Sequence, residues 1–195
     1  MNNRPATISP SNLSKILTKK PVTESKGAET YADKILMRKI GVDFSDEYES
    51  YDMIRGTELE PDAIYTYQQE TLKTVEPKER LFHPDYDYIS GEPDGLIGDD
   101  GIIEIKCPKN KWHLANLRDG EQIDKYYDQM QGYLFITGRD WCDFVSYNPN
   151  FPVGHELAIH RVERDQEHID FIEERCQIFW NEVFMPRYES FKSNS

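Results

Sequence analysis

One short stretch of the sequence combines acidic and basic side chains in a spacing that suits metal-assisted chemistry. Residues 91–95 read GEPDG, and EIK follows at 104–106. On a β-strand, residues two apart face the same side, so Glu104 and Lys106 are expected to project together from one face. That face would carry the chemistry, while the isoleucines beside Glu104 point into the core.

A hairpin between the two motifs would bring a second carboxylate to the same place. The turn residues GDDG at 98–101 separate two β-like runs, which predicts that the chain folds back and places Asp94 beside the strand that carries Glu104 and Lys106. Two carboxylates held close together repel each other unless a cation compensates. Because Mg²⁺ prefers carboxylate and carbonyl oxygens, Asp94, Glu104 and the backbone carbonyl of Ile105 are candidate ligands.

Lys106 completes a site that could hydrolyse a phosphodiester. Open positions on the cation would hold a phosphate oxygen and the attacking water, and Lys106 would orient that water or help to deprotonate it. An oxygen-rich site of this kind should also accept Mn²⁺. By itself the Asp-x(n)-Glu-x-Lys pattern is weakly specific, since a charged hairpin rim with an ordinary ion pair has the same residues.

Helical and strand-like patterns alternate around these motifs. Apolar periodicity and end signals predict helices near 10–18, 28–40, 46–69, 111–119, 122–137 and 165–190. Pro61 predicts a kink or a restart in the third helix. β-like runs lie at 72–76, 86–90, 94–98, 101–107, 141–148 and 156–163. This order predicts an α/β or α+β fold with a mixed central β-sheet flanked by helices, as a single nuclease domain over 1–195 with a disordered polar tail at 192–195.

Composition limits the classes of protein that fit. Of the 195 residues, 37% are hydrophobic and 12% aromatic, which is typical of a packed domain. No apolar run is long enough to cross a bilayer or to act as a signal sequence, so we expect a soluble, cytoplasmic protein. The three cysteines are far apart and predict neither disulfides nor a zinc site. The formal net charge of −13 argues against binding nucleic acid, unless a cation inverts the charge at the acidic site.

Four motifs, in order, resemble those of one known family. They are RPATISPS at 4–11, GTELEPDA at 56–63, the core GEPDG with EIKCP, and YYDQMQ at 126–131. Together they resemble the YqaJ-type viral recombinase family, which includes nucleases of the phage lambda exonuclease type and belongs to the PD-(D/E)xK nuclease superfamily.

The resemblance implies roles for individual residues. Glu60, Asp94, Glu104 and the Ile105 carbonyl would bind the metal, and Lys106 would be the catalytic lysine. Without the resemblance, Glu60 would be interpreted as a solvated helix carboxylate.

The resemblance also implies a pocket for the 5′ phosphate, lined by Arg4, Ser11 and Gln129. This pocket is chemically sensible, because guanidinium groups bind phosphate through paired hydrogen bonds. Glu92 is a departure, since many relatives carry Ser or Thr before the Pro-Asp pair, and a hydroxyl that contacts the phosphate is here replaced by a carboxylate.

Several further residues have two interpretations. Met53 and Ile54 lie where the family places apolar residues that open a duplex end, but helix core is an equal interpretation. Lys109 and Lys111 could follow a phosphate backbone or belong to a solvated loop. The three tryptophans, which include Trp112, are predicted to be core residues.

The resemblance implies a Mg²⁺-dependent 5′ to 3′ exonuclease that acts on double-stranded DNA ends, releases mononucleotides and leaves 3′ single-stranded overhangs for phage-type recombination. It further implies a homotrimeric ring around DNA, a single-strand annealing protein as partner, and a phage or prophage gene. Two alternatives remain open. One is a structure-specific endonuclease on the same fold, and the other is a catalytically inactive DNA-binding or annealing-protein docking module.

Overall fold

Helices and short strands alternate along the chain in the computed structural model, which describes residues 5–42, 44, 50–77 and 79–194. The helices are α1 Lys26–Lys39, α2 Tyr51–Thr71, α3 Asn110–Asp119, α4 Ile123–Thr137, α5 Gln166–Ile178 and α6 Met185–Ser193. The strands are β1 Leu81–Phe82, β2 Ser90–Gly91, β3 Gly95–Ile97, β4 Gly101–Lys106, β5 Trp141–Tyr147 and β6 Leu157–Glu163.

A mixed four-stranded sheet forms the centre of the fold, in the order β3-β4-β5-β6. Strands β3 and β4 form the predicted antiparallel hairpin, β4 pairs with β5 in parallel, and β5 pairs with β6 antiparallel. The parallel pair requires a crossover, which α3 and α4 provide. This arrangement confirms the predicted mixed sheet flanked by helices.

The sheet has two apolar faces, and each packs in its own core. Ile102 and Phe144 point to the face covered by α1, α4 and α5, whereas Ile103 and Val145 point to the face covered by α2. All four side chains are fully buried. Each contributes roughly 1.5–3 kcal/mol of apolar burial, so β4 and β5 are held from both sides. Residues at the C-terminal end of β4 are consequently fixed in position.

Helix α2 reaches the edge of this sheet as one unbroken element. Its first turn is capped by the Ser50 hydroxyl, which accepts a hydrogen bond from the Met53 amide at 3.3 Å. The helix continues through Pro61 and does not restart there, because the buried Ala63 and Tyr67 pack its second half on the sheet. Part of the predicted start, at 46–49, lies outside the described residues.

Both ends of the chain differ from the predicted helices. The predicted helix near 10–18 is a 3₁₀ helix, Pro10–Lys15, and the side chain of Ser9 makes no capping bond to it. The closing helix contains a π-helical segment, Phe179–Phe184, whose apolar side chains pack against α1. Helix α6 includes Lys192 and Ser193, which the sequence assigned to a polar tail. Segment 72–76 contributes a bridge at Glu76, and segment 86–90 contributes a bridge from Ile89 to Ile8 and the first residue of β2.

The remaining composition-based predictions concern cysteines and membrane spans. Cys142 and Cys176 are buried, Cys107 is partly exposed, and all three are free thiols as predicted. Within the part of the chain that the structure describes, no helix has both the length and the apolar composition needed to cross a bilayer.

Candidate active site

The hairpin brings two carboxylates to the end of strand β4. Asp94 immediately precedes β3, and its Oδ2 accepts a hydrogen bond of 2.7 Å from the backbone N–H of Ile105. Glu104 lies on β4 with only 1% of its surface exposed. The predicted proximity of Asp94 to the Glu104 strand is confirmed.

Glu104 has one oxygen that is fully used and one that is not. Its Oε1 accepts hydrogen bonds from the Lys106 ammonium and from Gln129 Nε2, the latter at 2.7 Å. Its Oε2 is buried and has no hydrogen-bond partner among the described residues. Burying an anionic oxygen without a donor costs free energy, so the position favours a group that supplies positive charge.

The electrostatics of the cluster reflect this shortage of positive charge. Burial, together with repulsion from Glu104, raises the pKa of Asp94 to about 8. Burial opposes the charge of Lys106, yet attraction to Glu104 and Asp94 raises the pKa of its ammonium above the ordinary value. Lys106 therefore carries its proton at neutral pH, and one ammonium serves two carboxylates.

A large open cavity of about 830 Å³ gives solvent access to this cluster. Glu60, on α2, lines it together with Asp94 and Lys106, and Glu60 adds to the repulsion that raises the pKa of Asp94. Trp112 and Tyr126 also line this cavity. Among the described residues, no three carboxylate, histidine or cysteine side chains lie close enough together to hold an ion without other ligands.

A second cavity, of about 390 Å³, adjoins the first. Met53 and Asp94 line both cavities, so the two cavities meet at the acidic site. The second cavity also has the side chains of Ser11, Arg80 and Glu92 in its wall. A substrate group bound there would lie next to the carboxylates.

The residues predicted to hold a 5′ phosphate lie in different places. Ser11 lines the second cavity. Gln129 is at the carboxylates, where its amide donates to Glu104. Ser11 lies in the 3₁₀ helix Pro10–Lys15, which has only six residues. Arg4 lies outside the described residues.

Of the four residues with two interpretations, Met53 and Lys109 line the first cavity. Met53 and Ile54 are 56% and 42% exposed, so the helix-core interpretation was wrong. Lys109 lines the cavity and pairs with Asp52 of α2 at 3.0 Å, with both side chains exposed. The Lys111 ammonium lies 4.9 Å from the centre of the Trp112 ring.

Two residues near the site were not identified from the sequence. Trp112 was predicted to be core, but it is 41% exposed and lines the first cavity. Its place in the first turn of α3, directly after the site strand, was the available signal. Arg80 precedes the two-residue strand β1, which is too short to give a recognisable pattern.

The comparisons with known proteins agree with this geometry. The model of the YqaJ-like viral recombinase domain matches residues 1–140. The uncharacterized protein YqaJ of Bacillus subtilis (strain 168) is 29% identical over 129 residues, which are 65% of this chain and 40% of that protein. The chain thus spans 40% of the length of this curated relative.

Solved structures resemble nearly the whole chain. The alkaline exonuclease LHK-Exo of Laribacter hongkongensis has a TM-score of 0.86 and 32% identity, covering 98% of this chain and 94% of that one. Its complex with dAMP has a TM-score of 0.85, with 32% identity and coverage of 97% and 93%. A phage related exonuclease from Haemophilus somnus 129PT has a TM-score of 0.76 at 18% identity, covering 96% of each chain, and shares the fold.

Proposed function

Because the chain belongs to the YqaJ-like viral recombinase family, we propose that it is a Mg²⁺-dependent exonuclease that digests one strand of duplex DNA from the 5′ end. The observation that carries the proposal is the buried, partnerless Oε2 of Glu104 beside Asp94, with Lys106 on the same strand. The similarity to LHK-Exo supports a nuclease, and the solved complex of that enzyme with dAMP supports a mononucleotide product.

The donor set fits a hard divalent cation. Asp94, Glu104 and the Ile105 carbonyl would hold Mg²⁺ through oxygen atoms, with Glu60 as a further ligand from α2 and water at the remaining positions. Glu104 Oε2 lacks any other partner, and a cation would also relieve the repulsion that raises the pKa of Asp94. When bound, Mg²⁺ supplies polarisation of the scissile phosphate and stabilises the charge of the transition state. Mn²⁺ should substitute, since it accepts the same ligands.

The chain's own residues position the reacting groups. Lys106 is held by Glu104 and lies 4.8 Å from the centre of the Tyr126 ring. Because its pKa is raised, Lys106 acts as a charged donor that orients the attacking water and offsets charge on the phosphate. Gln129 keeps Glu104 in place.

The 5′ polarity is proposed from the second cavity. An end group bound near Ser11 would place the first phosphodiester close to the carboxylates, because Asp94 lines both cavities. Met53 also lines both and is exposed, so it could wedge between the last base pairs. The released product would be a mononucleotide and the remaining strand a 3′ overhang.

The proposal includes an assembly and a partner. A homotrimeric ring around the duplex would let an acidic protein, of net charge −13, stay on DNA by enclosing it. A single-strand annealing protein would take up the exposed strand. Analytical ultracentrifugation of the purified chain should give a trimer, and a monomer at micromolar concentration would remove the ring from the proposal.

The decisive assay is digestion of linear duplex DNA that is labelled at one end. With Mg²⁺, labelled 5′ ends should be released as mononucleotides, and EDTA should stop the release. Lys106→Ala should abolish it, while Lys192→Ala, an exposed lysine paired with Glu189 at the far end of α6, should not. Cutting of closed circular DNA would instead indicate an endonuclease. DNA binding without any cutting would indicate the inactive docking module.

A further inference from the structure

A small two-stranded sheet places an ion pair in the second cavity. Strands β1 and β2 pair antiparallel, with Leu81 opposite Gly91, so residue 80 lies opposite residue 92 in the continued register. Arg80 Nη2 is 3.1 Å from Glu92 Oε2. The two side chains are 25% and 39% exposed, which leaves both accessible from the cavity. Because the pair is partly solvated, its attraction is weak and a stronger anion can displace it.

The guanidinium of Arg80 contacts one hydroxyl group directly, and Thr7, Ser9 and Ser11 line the same cavity. Arg80 Nη1 is 3.4 Å from Ser90 Oγ, and that oxygen is 2.6 Å from Thr7 Oγ1. A guanidinium beside several hydroxyls is a chemical environment that suits a phosphoryl group, since arginine offers paired N–H donors and hydroxyls donate to the remaining oxygens.

Close packing keeps this arrangement next to the acidic site. Glu92 is separated from Asp94 by Pro93 alone, whose ring restricts the backbone. A Cβ on Gly91 would lie 2.8 Å from Cε1 of Tyr133, so only glycine lets β2 approach α4 this closely. Arg80 and Glu92 are thus held beside the carboxylates by the packing of β2 on α4.

We propose that Arg80 binds the 5′-terminal phosphate of the strand being digested, and that Glu92 is the resident anion which this phosphate displaces. The proposal rests on the exonuclease function and names the residues that determine its end specificity. Glu92 competes with the phosphate for Arg80, so binding is weakened but release is eased. Each cleavage leaves a new 5′ phosphate on the strand. Because binding is weak, the phosphate of the released mononucleotide can leave Arg80 and the new 5′ phosphate can take its place.

The test compares end binding with digestion. Fluorescence anisotropy would measure the affinity for duplexes with 5′-phosphate or 5′-hydroxyl ends, with Ca²⁺ in place of Mg²⁺ to prevent cleavage. Arg80→Ala should weaken binding of phosphorylated ends about 10- to 100-fold, the range for losing a hydrogen bond to a charged group, and should leave hydroxyl ends unchanged. Glu92→Gln should tighten binding of phosphorylated ends and slow successive turnovers. Arg187→Ala serves as the control, since Arg187 pairs with Glu29 and Asp33 of α1, outside both cavities.

The outcomes separate this inference from the function on which it rests. If the wild type digests from 5′ ends and Arg80→Ala keeps the full preference for phosphate, Arg80 is not the phosphate ligand and the inference is wrong. Unchanged affinity and turnover in Glu92→Gln would remove Glu92 as the competing anion. If the wild type degrades no DNA from 5′ ends, the proposed function itself fails, whatever the variants bind. Arg80→Lys, which keeps the charge but loses the fork, should restore only part of the preference.

Discussion

The two faces of the central sheet each bury a carboxylate, and they treat it in opposite ways. On the face covered by α2, Asp143 accepts hydrogen bonds from Arg161 at 2.8 Å and 3.0 Å and from the Tyr67 hydroxyl at 2.6 Å. The Lys73 ammonium is 3.4 Å from the same carboxylate. On the other face, Glu104 has a buried oxygen, Oε2, with no hydrogen-bond partner in the part of the chain that the structure describes.

The pKa values of the two sites follow this difference. Burial opposes ionisation of Asp143, but the hydrogen bonds from Arg161 and Tyr67 hold its pKa below the ordinary value. At the other site, burial and Glu104 raise the pKa of Asp94. Breaking a fully neutralised buried acid is costly because it leaves charges without partners, whereas an incompletely neutralised acid is suited to bind a cation. The comparison therefore separates a structural carboxylate from functional ones within a single sheet.

Neutralising a carboxylate of the functional site should have the largest effect. Glu104→Gln keeps the size of the side chain but removes its charge, so the rate of DNA digestion should fall by at least about 10³-fold, as for loss of a main transition-state contact. The melting temperature should change little, because loss of the ion pair with Lys106 is offset by removal of the repulsion between Glu104 and Asp94. Substantial activity in this variant would remove Glu104 from the site.

The matched change on the structural side is Asp143→Asn. This variant leaves Arg161 and Lys73 without their anion, and we expect the free energy of unfolding to fall by about 2 kcal/mol. That is less than the roughly 3–5 kcal/mol of a fully buried pair, because both cations reach solvent. Urea titration at neutral pH would measure the loss, while activity per folded molecule should be retained. A large loss of activity without loss of stability would contradict the assignment.

The dependence of stability on pH should also differ between the faces. Because the pKa of Asp94 is raised in the folded state, folding binds an extra proton, and stability falls as pH rises from about 4 to about 8. Asp94→Asn should remove this decline and be more stable than the metal-free wild type above pH 8, by about 1–2 kcal/mol. Asp143 has the opposite sign, since its contribution is lost only as pH falls below its ordinary pKa of 3.8. Melting curves across pH, recorded in EDTA, would compare the wild type, Asp94→Asn and Asp143→Asn.

The smallest expected effect concerns Met53 at the shared edge of the two cavities. Met53→Ala should leave stability almost unchanged, because the side chain is 56% exposed. Digestion of duplex ends should slow by about tenfold if the side chain packs against a terminal base pair, since burying it contributes roughly 1–1.5 kcal/mol. Met37→Ala, at an exposed methionine on α1, is the control. Equal rates for both variants would exclude a wedge.

The functional carboxylates could be predicted from sequence because one hairpin brings them together. Asp94 and Glu104 are ten residues apart and joined by a turn with a clear GDDG signal. The turn and the strand periodicity together predict that they lie side by side. The mixed sheet and the helices that flank it were predictable for a similar reason, since periodic apolar patterns over α1, α3 and α4 are determined locally.

The structural carboxylate could not be found in this way. Asp143 meets Tyr67 across 76 residues of sequence and Lys73 across 70, and no local pattern encodes such contacts. Arg80 was missed because β1 has two residues, and its partner is fixed only by pairing with β2. The 3₁₀ geometry of Pro10–Lys15 and the π segment Phe179–Phe184 likewise arise from packing against α4 and α1, which propensity does not report.

Calorimetric titration would test directly whether Asp94, and not Asp143, holds the cation. Mg²⁺ would be titrated into the wild type, Asp94→Asn and Asp143→Asn under identical conditions. We expect the wild type and Asp143→Asn to bind the ion. Asp94→Asn should bind it at least about tenfold more weakly, since a charged ligand is lost. Equal binding by all three proteins, or loss of binding only in Asp143→Asn, would show that Asp94 is not a ligand and would place the cation elsewhere.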